Sequence, residues 1–286
     1  MIPGAVDIRV FDIASRDLCK ICHYHCMGVF DLAFDSDTGL LASASHDYSV
    51  VLWDLERNDA IFLVGGPDAG ISRSAARFVG GRVVVADGMT FAGERAALTA
   101  FDLATGDVRR LFELDEDLGI SKLAVSPEHE LLIAAIDEPR FPGCSEILCV
   151  TIDGTEQTRY ELEIGLYDIA IAGDRTLVAA GSLDDGDTEV FVLDAASGQI
   201  MARRALGLQI GAHVANAPTG GQVAVAHDRD VEICSIETLK PELQFQLGDE
   251  HACSVAWSPD GAWIAVGTRE RTVRLFHAAT GTEHLA

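Results

Sequence analysis

The stretch GVFDLAFDSDTGLLASASHDYSVVLWDL, residues 28–55, contains three short strand patterns separated by turn residues. Val29–Phe34, Leu40–Ser45 and Val50–Trp53 are each rich in β-favouring residues. Between them, Asp35–Gly39 and His46–Ser49 supply the Asp, Ser, Thr and Gly residues that are typical of tight turns. The stretch therefore predicts three consecutive antiparallel strands.

The same unit recurs along the chain at intervals of roughly 40–50 residues, a period typical of propeller blades. A strand-closing pair marks each repeat: Phe11-Asp12, Trp53-Asp54, Phe101-Asp102, Ile152-Asp153, Leu193-Asp194, Ile236-Glu237 and Phe276-His277. No segment shows a helical 3.6-residue pattern over three turns. The recurrence predicts an all-β fold, a single β-propeller of four-stranded antiparallel blades that spans residues 1–286.

The strand count favours six blades. Six second strands are visible, whereas a seventh strand of the third type lies at Asp7–Phe11. The last repeat lacks a full fourth strand, and Leu18–His23 is the predicted substitute, so that N-terminal strands around residues 5–25 join the C-terminal blade. A ring of seven blades with one incomplete blade is the alternative.

The charge balance excludes some classes of partner. The 45 acidic residues outnumber 21 basic ones and give a net charge of −24. Direct binding of nucleic acid needs a Lys/Arg surface, and anionic membranes also attract basic segments, so neither ligand is expected. The acidic surface keeps the protein in solution or attracts a partner with a basic segment.

The location predicted from the sequence is cytoplasmic. No apolar run approaches the ~18 residues of a membrane span, and the N-terminal residues show no signal-peptide pattern. Seven cysteines are an odd number without a disulfide framework, which favours a reducing compartment.

Cysteine and histidine residues cluster in Cys19-Lys-Ile-Cys22-His23-Tyr-His25-Cys26. The cluster contains the C-x-x-C-H pattern of haem attachment and enough ligands for tetrahedral zinc. However, Cys19 and Cys22 point to opposite faces if this segment is a strand. A structural role is favoured over zinc, and zinc over haem; no metal or cofactor is predicted.

Sequence motifs of common catalytic sites are absent. It has no G-x-S-x-G motif and no phosphate-binding glycine loop. Acidic runs such as Asp115–Asp117 and Asp184–Asp187 lack the spacing of a calcium loop. No catalytic residue is predicted, and the acidic runs are interpreted as solvated loops.

Two stretches resemble WD repeats: the one quoted above and HACSVAWSPDGAWIAVGTRERTVRLFHAATG, residues 251–281. His25 and His251 each lie four residues before a first-strand valine, where the family has its Gly-His histidine, although the preceding residues here are Tyr24 and Glu250. Between the two stretches the tryptophan of the third strand is missing. The resemblance covers the first and last repeats and is faint in the middle.

The resemblance implies a hydrogen-bonded brace inside each of these blades. In the first repeat the brace would consist of His25, Ser45, Asp47 and Trp53. In the last repeat it would consist of His251, Thr268, Glu270 and Phe276. The second brace would be weaker because Phe276 has no indole N–H to donate.

WD propellers use their loops to bind partners, and the loops 87–97 and 137–146 are long here. Aromatic and arginine side chains dominate interface energetics. The partner-binding residues predicted on one loop face are Tyr24, Tyr48, Met89, Phe91, Arg95, Arg140, Phe141 and Tyr167. The alternative is that these aromatic residues pack under their own loops.

The sequence thus favours a non-enzymatic interaction scaffold that binds a protein or peptide as a subunit of a hetero-complex. One alternative is a hydrolase- or lactonase-type propeller with a metal in its central channel. A third hypothesis is an assembly subunit whose Asp7–Phe11 strand pairs with another chain.

Overall fold

The structure is a computed structural model. It describes residues 6–15, 17–65, 71–90, 95–115, 118–126, 131–137, 145–162, 164–173, 175–182, 186–207 and 211–284. All the regular elements in these ranges are β-strands. Within the same ranges, no helix has the length and apolar character needed to cross a bilayer.

The strands form one two-stranded sheet, the N-terminal pair, and six larger antiparallel sheets, numbered 1 to 6 along the chain. The N-terminal pair is β1 (Ile8–Phe11) and β2 (Leu18–Cys22); sheet 1 is β3 (Val29–Asp35), β4 (Leu40–Ser45), β5 (Ser49–Asp54) and β6 (Asp59–Gly65); sheet 2 is β7 (Ile71–Val79), β8 (Arg82–Thr90), β9 (Ala97–Asp102) and β10 (Val108–Glu113); sheet 3 is β11 (Gly119–Ser126), β12 (Leu131–Asp137), β13 (Ser145–Thr151) and β14 (Glu156–Leu162); sheet 4 is β15 (Gly165–Ala172), β16 (Thr176–Ser182), β17 (Thr188–Asp194) and β18 (Ile200–Ala205); sheet 5 is β19 (Ala212–Asn216), β20 (Gln222–His227), β21 (Asp230–Ser235) and β22 (Pro241–Gln246); sheet 6 is β23 (Ala252–Trp257), β24 (Trp263–Thr268) and β25 (Val273–His277). The predicted all-β architecture of antiparallel blades is confirmed.

The two middle strands of sheets 1 to 5 are buried on both faces over most of their length, whereas β24 of sheet 6 alternates between buried and half-buried residues. In β4 all residues after Leu40 are buried, and β5 is buried from Ser49 to Trp53. Small side chains such as Ala42 and Ala44 let neighbouring sheets approach closely, and the branched side chains of Val50 and its neighbours fill the space between them. The strands therefore read as continuous apolar runs rather than as a strict alternation.

The chain divides into two compact units, one formed by Met1–Pro139 with Val150–Glu156 and the other by Arg140–Cys149 with Gln157–Ala286. In the first unit, a core cluster joins sheets 1 and 2 through residues such as Val50, Ala76 and Val85. In the second unit, related clusters join sheet 4 to sheet 5 and sheet 5 to sheet 6.

A carboxylate on the first strand of a sheet binds the first strand of the next sheet in both units. Asp31 Oδ2 accepts a hydrogen bond from the backbone N–H of Ala76 at 3.1 Å. Asp168 Oδ2 accepts one from the N–H of Val214, also at 3.1 Å. In β3 and in β15 the pairing with the second strand is irregular just before the aspartate, which lets its side chain point along the sheet edge.

Sheet 6 has three strands, followed by an isolated bridge between Phe276 and Glu283. The predicted substitute for a fourth strand, Leu18–Cys22, pairs with β1 in the N-terminal pair. Closure of a single ring through residues 5–25 and the last blade stays a prediction.

Two predicted strand-closing pairs are wrong. β13 ends at Thr151 and β21 ends at Ser235, so Ile152-Asp153 and Ile236-Glu237 both follow the strand rather than close it. The N–H of Ser235 donates to the carbonyl of Lys240 across the turn, as the first turn residue does in other sheets. Cys234 therefore occupies the position that Trp53 holds in sheet 1.

Candidate functional site

A buried hydrogen-bond network links four side chains of sheet 1 and its preceding loop. Trp53 Nε1 donates to Ser43 Oγ at 2.9 Å, and Ser43 Oγ lies 2.7 Å from His25 Nε2. On the other side of the ring, His25 Nδ1 lies 3.0 Å from Asp47 Oδ2. The network is complete when the Ser43 hydroxyl donates to His25 Nε2 and the Nδ1–H of His25 donates to Asp47.

The structure corrects the serine of this brace. Ser43, and not Ser45, lies between the imidazole and the indole. Ser45 Oγ instead donates to the carbonyls of Met27 and Gly28 and accepts from the N–H of Asp47 at 3.2 Å. Ser45 thus holds the incoming loop against β4, while Ser43 completes the network.

The buried carboxylate of Asp47 is held in its ionised form. Burial acts to raise its pKa, but hydrogen bonds from Ser49 Oγ, the N–H of Cys26 and His25 outweigh burial, and the pKa is lowered from its ordinary value. Ser49 Oγ donates at 2.5 Å and the Cys26 N–H at 3.0 Å. The brace therefore fixes the loop before β3 and the turn after β4 as one rigid unit.

Sheet 6 keeps only the outer part of the equivalent network. His251 Nδ1 lies 2.9 Å from Glu270 Oε1, and the N–H of His251 donates to Glu270 Oε2 at 2.9 Å. These bonds lower the pKa of Glu270 to about 2. Thr268 is not bonded to His251; its hydroxyl pairs with Thr272 Oγ1 at 2.7 Å.

The inner part of the network is apolar in sheet 6. By strand register, Val266 takes the place of Ser43 and Phe276 takes the place of Trp53. Both Val266 and Phe276 are buried. The polar pair of sheet 1 is thus replaced as a pair by two hydrocarbon side chains, which leaves no buried donor unmatched.

Around the sheet 1 brace lies a group of exposed or half-buried side chains, which we call the aromatic surface: Tyr24, Met27, Phe30, His46 and Tyr48. The rings of Phe30 and His46 are 5.3 Å apart, and those of His46 and Tyr48 are 6.4 Å apart. Tyr24 packs edge-on against His25. Contacting rings that remain partly open to solvent are typical of protein interaction sites.

Two of these five residues, Tyr24 and Tyr48, were predicted from the sequence, whereas Met27, Phe30 and His46 were missed. Phe30 is the extra residue where the β3–β4 register shifts, and its side chain is exposed. Tyr48 has a positive φ of 69°, and Gly65 makes room for its carbonyl: a Cβ on Gly65 would lie 2.2 Å from that oxygen. No sequence signal distinguishes the bulge at Phe30.

Contacts are described for two of the other predicted partner-binding residues, Arg95 and Tyr167. Arg95 is exposed and forms an ion pair of 3.6 Å with Glu113. Tyr167, in the second unit, is half-buried, and its hydroxyl pairs with Ser182 Oγ at 2.8 Å. Phe91, Arg140 and Phe141 lie outside the described residues, and nothing is described of the Met89 side chain. β8 continues to Thr90, so the first of the two long loops is shorter than predicted.

The cysteine cluster is dispersed. Cys22 is buried in a core cluster, where burial raises the pKa of its thiol. Cys19 and Cys26 are exposed free thiols, and His23 Nδ1 lies 2.6 Å from Asp7 Oδ1. Within the described ranges, no three His, Cys, Asp or Glu side chains come close enough to share a metal ion.

Two buried ion pairs were not predicted from the sequence. Arg73 pairs with Asp87, whose other oxygen accepts from the N–H of Ala97 at 3.1 Å. In the second unit, Arg204 pairs with Glu232, and His227 Nε2 lies 3.8 Å from the same carboxylate. Arg73 and Asp87 face each other on the consecutive strands β7 and β8, whereas Arg204 of β18 and Glu232 of β21 join sheets 4 and 5.

The family described as "WD domain, G-beta repeat" matches residues 16–54 and 242–277. These two segments include β2 to β5 and all three strands of sheet 6, where the histidine–acid pairs lie. No curated protein matches the chain.

Two solved structures show the same fold at low sequence identity. Kuenenia stuttgartiensis hydrazine synthase has a TM-score of 0.82 and 14% identity, and the match covers 96% of this chain and 90% of that chain. The β-propeller domain of Myceliophteria thermophila Cps50 (Swd1) has a TM-score of 0.70 and 19% identity, covering 92% and 86%. At these identities the likeness extends to the fold alone. The chain folds as a six-bladed β-propeller of antiparallel blades, and its residues 16–54 and 242–277 match the WD-repeat family model.

Proposed function

We propose that this propeller is a non-enzymatic scaffold that binds a partner protein through the aromatic surface, as a subunit of a hetero-complex. The observation that carries the proposal is the contact series Phe30–His46–Tyr48, which lies partly open to solvent on a buried hydrogen-bonded brace. Partner proteins are the usual ligands of propellers with this repeat.

The brace supports binding because it reduces the conformational entropy that an interface must lose. His46 and Tyr48 flank Asp47, whose carboxylate is fixed by His25 and Ser49. A partner therefore meets side chains that are already in place, and preorganised aromatic groups give more affinity per unit of buried area than mobile ones.

A basic segment is the proposed chemistry of the partner. The net charge of −24 favours its approach over that of an acidic protein. On this proposal the association rate falls as salt rises, whereas the dissociation rate changes little. A cytoplasmic location and a contribution from Arg140 and Phe141, in the predicted loop 137–146, remain parts of the proposal.

The test compares proteins that co-purify from the native host with tagged wild-type chain and with Phe30→Ala/Tyr48→Ala. We expect a partner to be lost from the double variant. Ile200→Ala/Met201→Ala is the matched control, because both residues are exposed apolar side chains on β18. If the aromatic-surface variant and the β18 control are both folded and recover equal amounts of partner, the proposal is contradicted.

The alternative is a metal-dependent propeller enzyme. Elemental analysis of the purified chain at one metal per chain, together with hydrolysis of a lactone panel, would favour it. Loss of both on chelation, with partner recovery unchanged, would separate that function from the scaffold.

A further inference from the structure

The N-terminal pair has the features of the third and fourth strands of a blade. The N–H of Asp12 donates to the carbonyl of Asp17 at 3.0 Å, as that of Asp194 donates to the carbonyl of Gln199 between β17 and β18. Asp12 Oδ1 also accepts from the N–H of Ser15 at 2.7 Å, in the way typical of these turns. The pair β1–β2 is therefore the outer half of a blade.

This outer half packs on sheet 1 as a neighbouring blade does. Ile8 of β1 and Cys22 of β2 form a core cluster with Leu41, Val51 and Trp53. The cluster covers one face of β4 and β5, and all five of its side chains are buried. The N-terminal pair thus already has one established interface with sheet 1.

The N-terminal pair covers β4 and β5 but does not extend over β3. Leu32 pairs with Ser43 and Phe34 pairs with Leu41, so both lie on the same face as the cluster. Yet Leu32 is 49% exposed and Phe34 is 55% exposed. An apolar strip therefore continues directly from a buried interface into solvent.

Other sheets show that this register position is normally covered. The residues equivalent to Leu32 in sheets 2 to 5 are Ala76, Leu123, Ile169 and Val214, as fixed by strand pairing. None of them is more than 6% exposed. Leu32 departs from a rule that four sheets follow, so its exposure is a local feature and not a property of first strands.

Exposed apolar side chains are concentrated in this part of the chain. Of the thirteen large hydrophobic side chains that the described residues expose, eight lie between Phe11 and Phe34. Monomeric surfaces rarely gather so many in one segment without an interaction partner. Within the described ranges, β1 pairs with β2 alone, so its other edge offers backbone donors and acceptors.

We infer that the free edge of β1 and the Leu32–Phe34 strip dock a β-hairpin of a partner protein. Two strands lie inside the third strand in each four-stranded sheet, so the space is that of two strands. The hairpin would pair with β1 through its backbone and cover Leu32 and Phe34 with alternating apolar side chains, which completes a blade. The site is distinct from the aromatic surface and does not depend on the proposed function.

A probe of suitable chemistry exists within the chain itself. A synthetic peptide of residues 165–182 contains β15 and β16, the inner two strands of sheet 4. Cyclised head to tail and labelled with fluorescein, it is titrated with the full chain by anisotropy. We expect saturable one-to-one binding and slower hydrogen exchange of the β1 amides when peptide is bound.

The variant Leu32→Asp/Phe34→Asp should weaken binding roughly tenfold or more, because it places charge where apolar area must be buried. Leu32→Ala/Phe34→Ala serves if the first variant does not fold. Ile200→Asp/Met201→Asp, which alters exposed apolar residues on β18, should bind as the wild type does.

Three results would overturn the inference. The first is that the folded chain shows no saturable binding of the peptide. The second is that the strip variant and the β18 control lose peptide binding equally. The third is a dimer, seen by light scattering, that the strip variant abolishes, since a second copy would then be the occupant. Retention of the partner by Phe30→Ala/Tyr48→Ala, with peptide binding intact, would sink the proposed function alone.

Discussion

Trp53 and Ser43, both buried, are joined by a hydrogen bond of 2.9 Å between β5 and β4 of sheet 1. The indole N–H would be an unmatched donor without this hydroxyl, and an unmatched buried donor costs about 1–3 kcal/mol. In sheet 6 the two positions are Phe276 and Val266, so donor and acceptor are absent together. The two positions are therefore polar together in sheet 1 and apolar together in sheet 6.

This pairing predicts a non-additive double-mutant cycle. We expect Ser43→Val to lower the free energy of unfolding by about 1–3 kcal/mol, because it leaves the indole N–H and His25 Nε2 unpaired. Trp53→Phe should also destabilise. The double variant should lose about 1 kcal/mol less than the sum, since the unmatched indole is gone. Urea unfolding measures all four proteins, and costs that add within error would contradict the coupling.

The loss of folding stability at acidic pH should depend on Glu232 in the second unit. Burial acts to raise its pKa, but the nearby His227 imidazole and the hydrogen bond and charge of Arg204 dominate and lower the pKa from the ordinary 4.5 to about 2. A lowered folded-state pKa stabilises the fold fully above pH 4.5, and this stabilisation is lost as the pH falls from 4.5 towards 2. We expect Glu232→Gln to flatten the decrease in unfolding free energy over that range, measured by urea unfolding at fixed ionic strength.

The matched control for that experiment is Glu242→Gln. Glu242 is an exposed residue of β22 that accepts a hydrogen bond from Gln222. Its replacement should leave the acid limb of the stability curve close to that of the wild type. If both variants reduce the acid-dependent decrease in unfolding free energy equally, the buried carboxylate of Glu232 is not the cause of that decrease.

A second buried ion pair supports the base of the β8–β9 loop. Asp87→Asn removes the charge opposite Arg73 while keeping a similar shape, and breaking a buried pair from one side costs about 3–5 kcal/mol. Asp37→Asn, in the exposed turn after β3, should change the stability by less than about 0.5 kcal/mol. Thermal and urea unfolding give both values, and similar costs at the two sites would rule out a structural role for the pair.

The strand pattern was predictable because it is local. Turn residues and alternating β-favouring runs are adjacent in sequence, and the six-residue spacing from Asp47 to Trp53 is set by one tight turn. The serine of the brace was not predictable in the same way. Ser43 and Ser45 lie two apart on β4 and therefore share a face, so only the pairing with neighbouring strands decides which one meets the indole.

The positions of the remaining site residues depend on strand register and sheet packing, which a sequence pattern does not show. Phe30 is the unpaired residue of a bulge in β3, and the β-favouring run of residues 29–34 does not show where that bulge lies. Arg204 and Glu232 belong to neighbouring sheets, so their contact arises only after the sheets pack. A contact between sheets of this kind cannot be predicted from local sequence patterns.

The last prediction concerns the support of the aromatic surface by Gly65. Gly65 has a φ of 79°, and a Cβ there would lie 2.2 Å from the carbonyl oxygen of Tyr48, so an alanine must displace the Tyr48 turn. Gly39 has a similar φ of 71° but no atom within 4 Å of the added Cβ. Gly39→Ala should therefore cost only the conformational strain of about 1–2 kcal/mol, whereas Gly65→Ala should cost more.

The two glycine variants also separate stability from binding. Because Tyr48 contacts His46 and the two belong to the aromatic surface, Gly65→Ala should weaken partner recovery even where the chain remains folded. Gly39→Ala, with a comparable backbone strain at a distant turn, should recover the partner normally. Urea unfolding and quantitative co-purification are made on the same preparations. If binding follows the stability of both variants alike, the geometry of the Tyr48 turn has no special role in recognition.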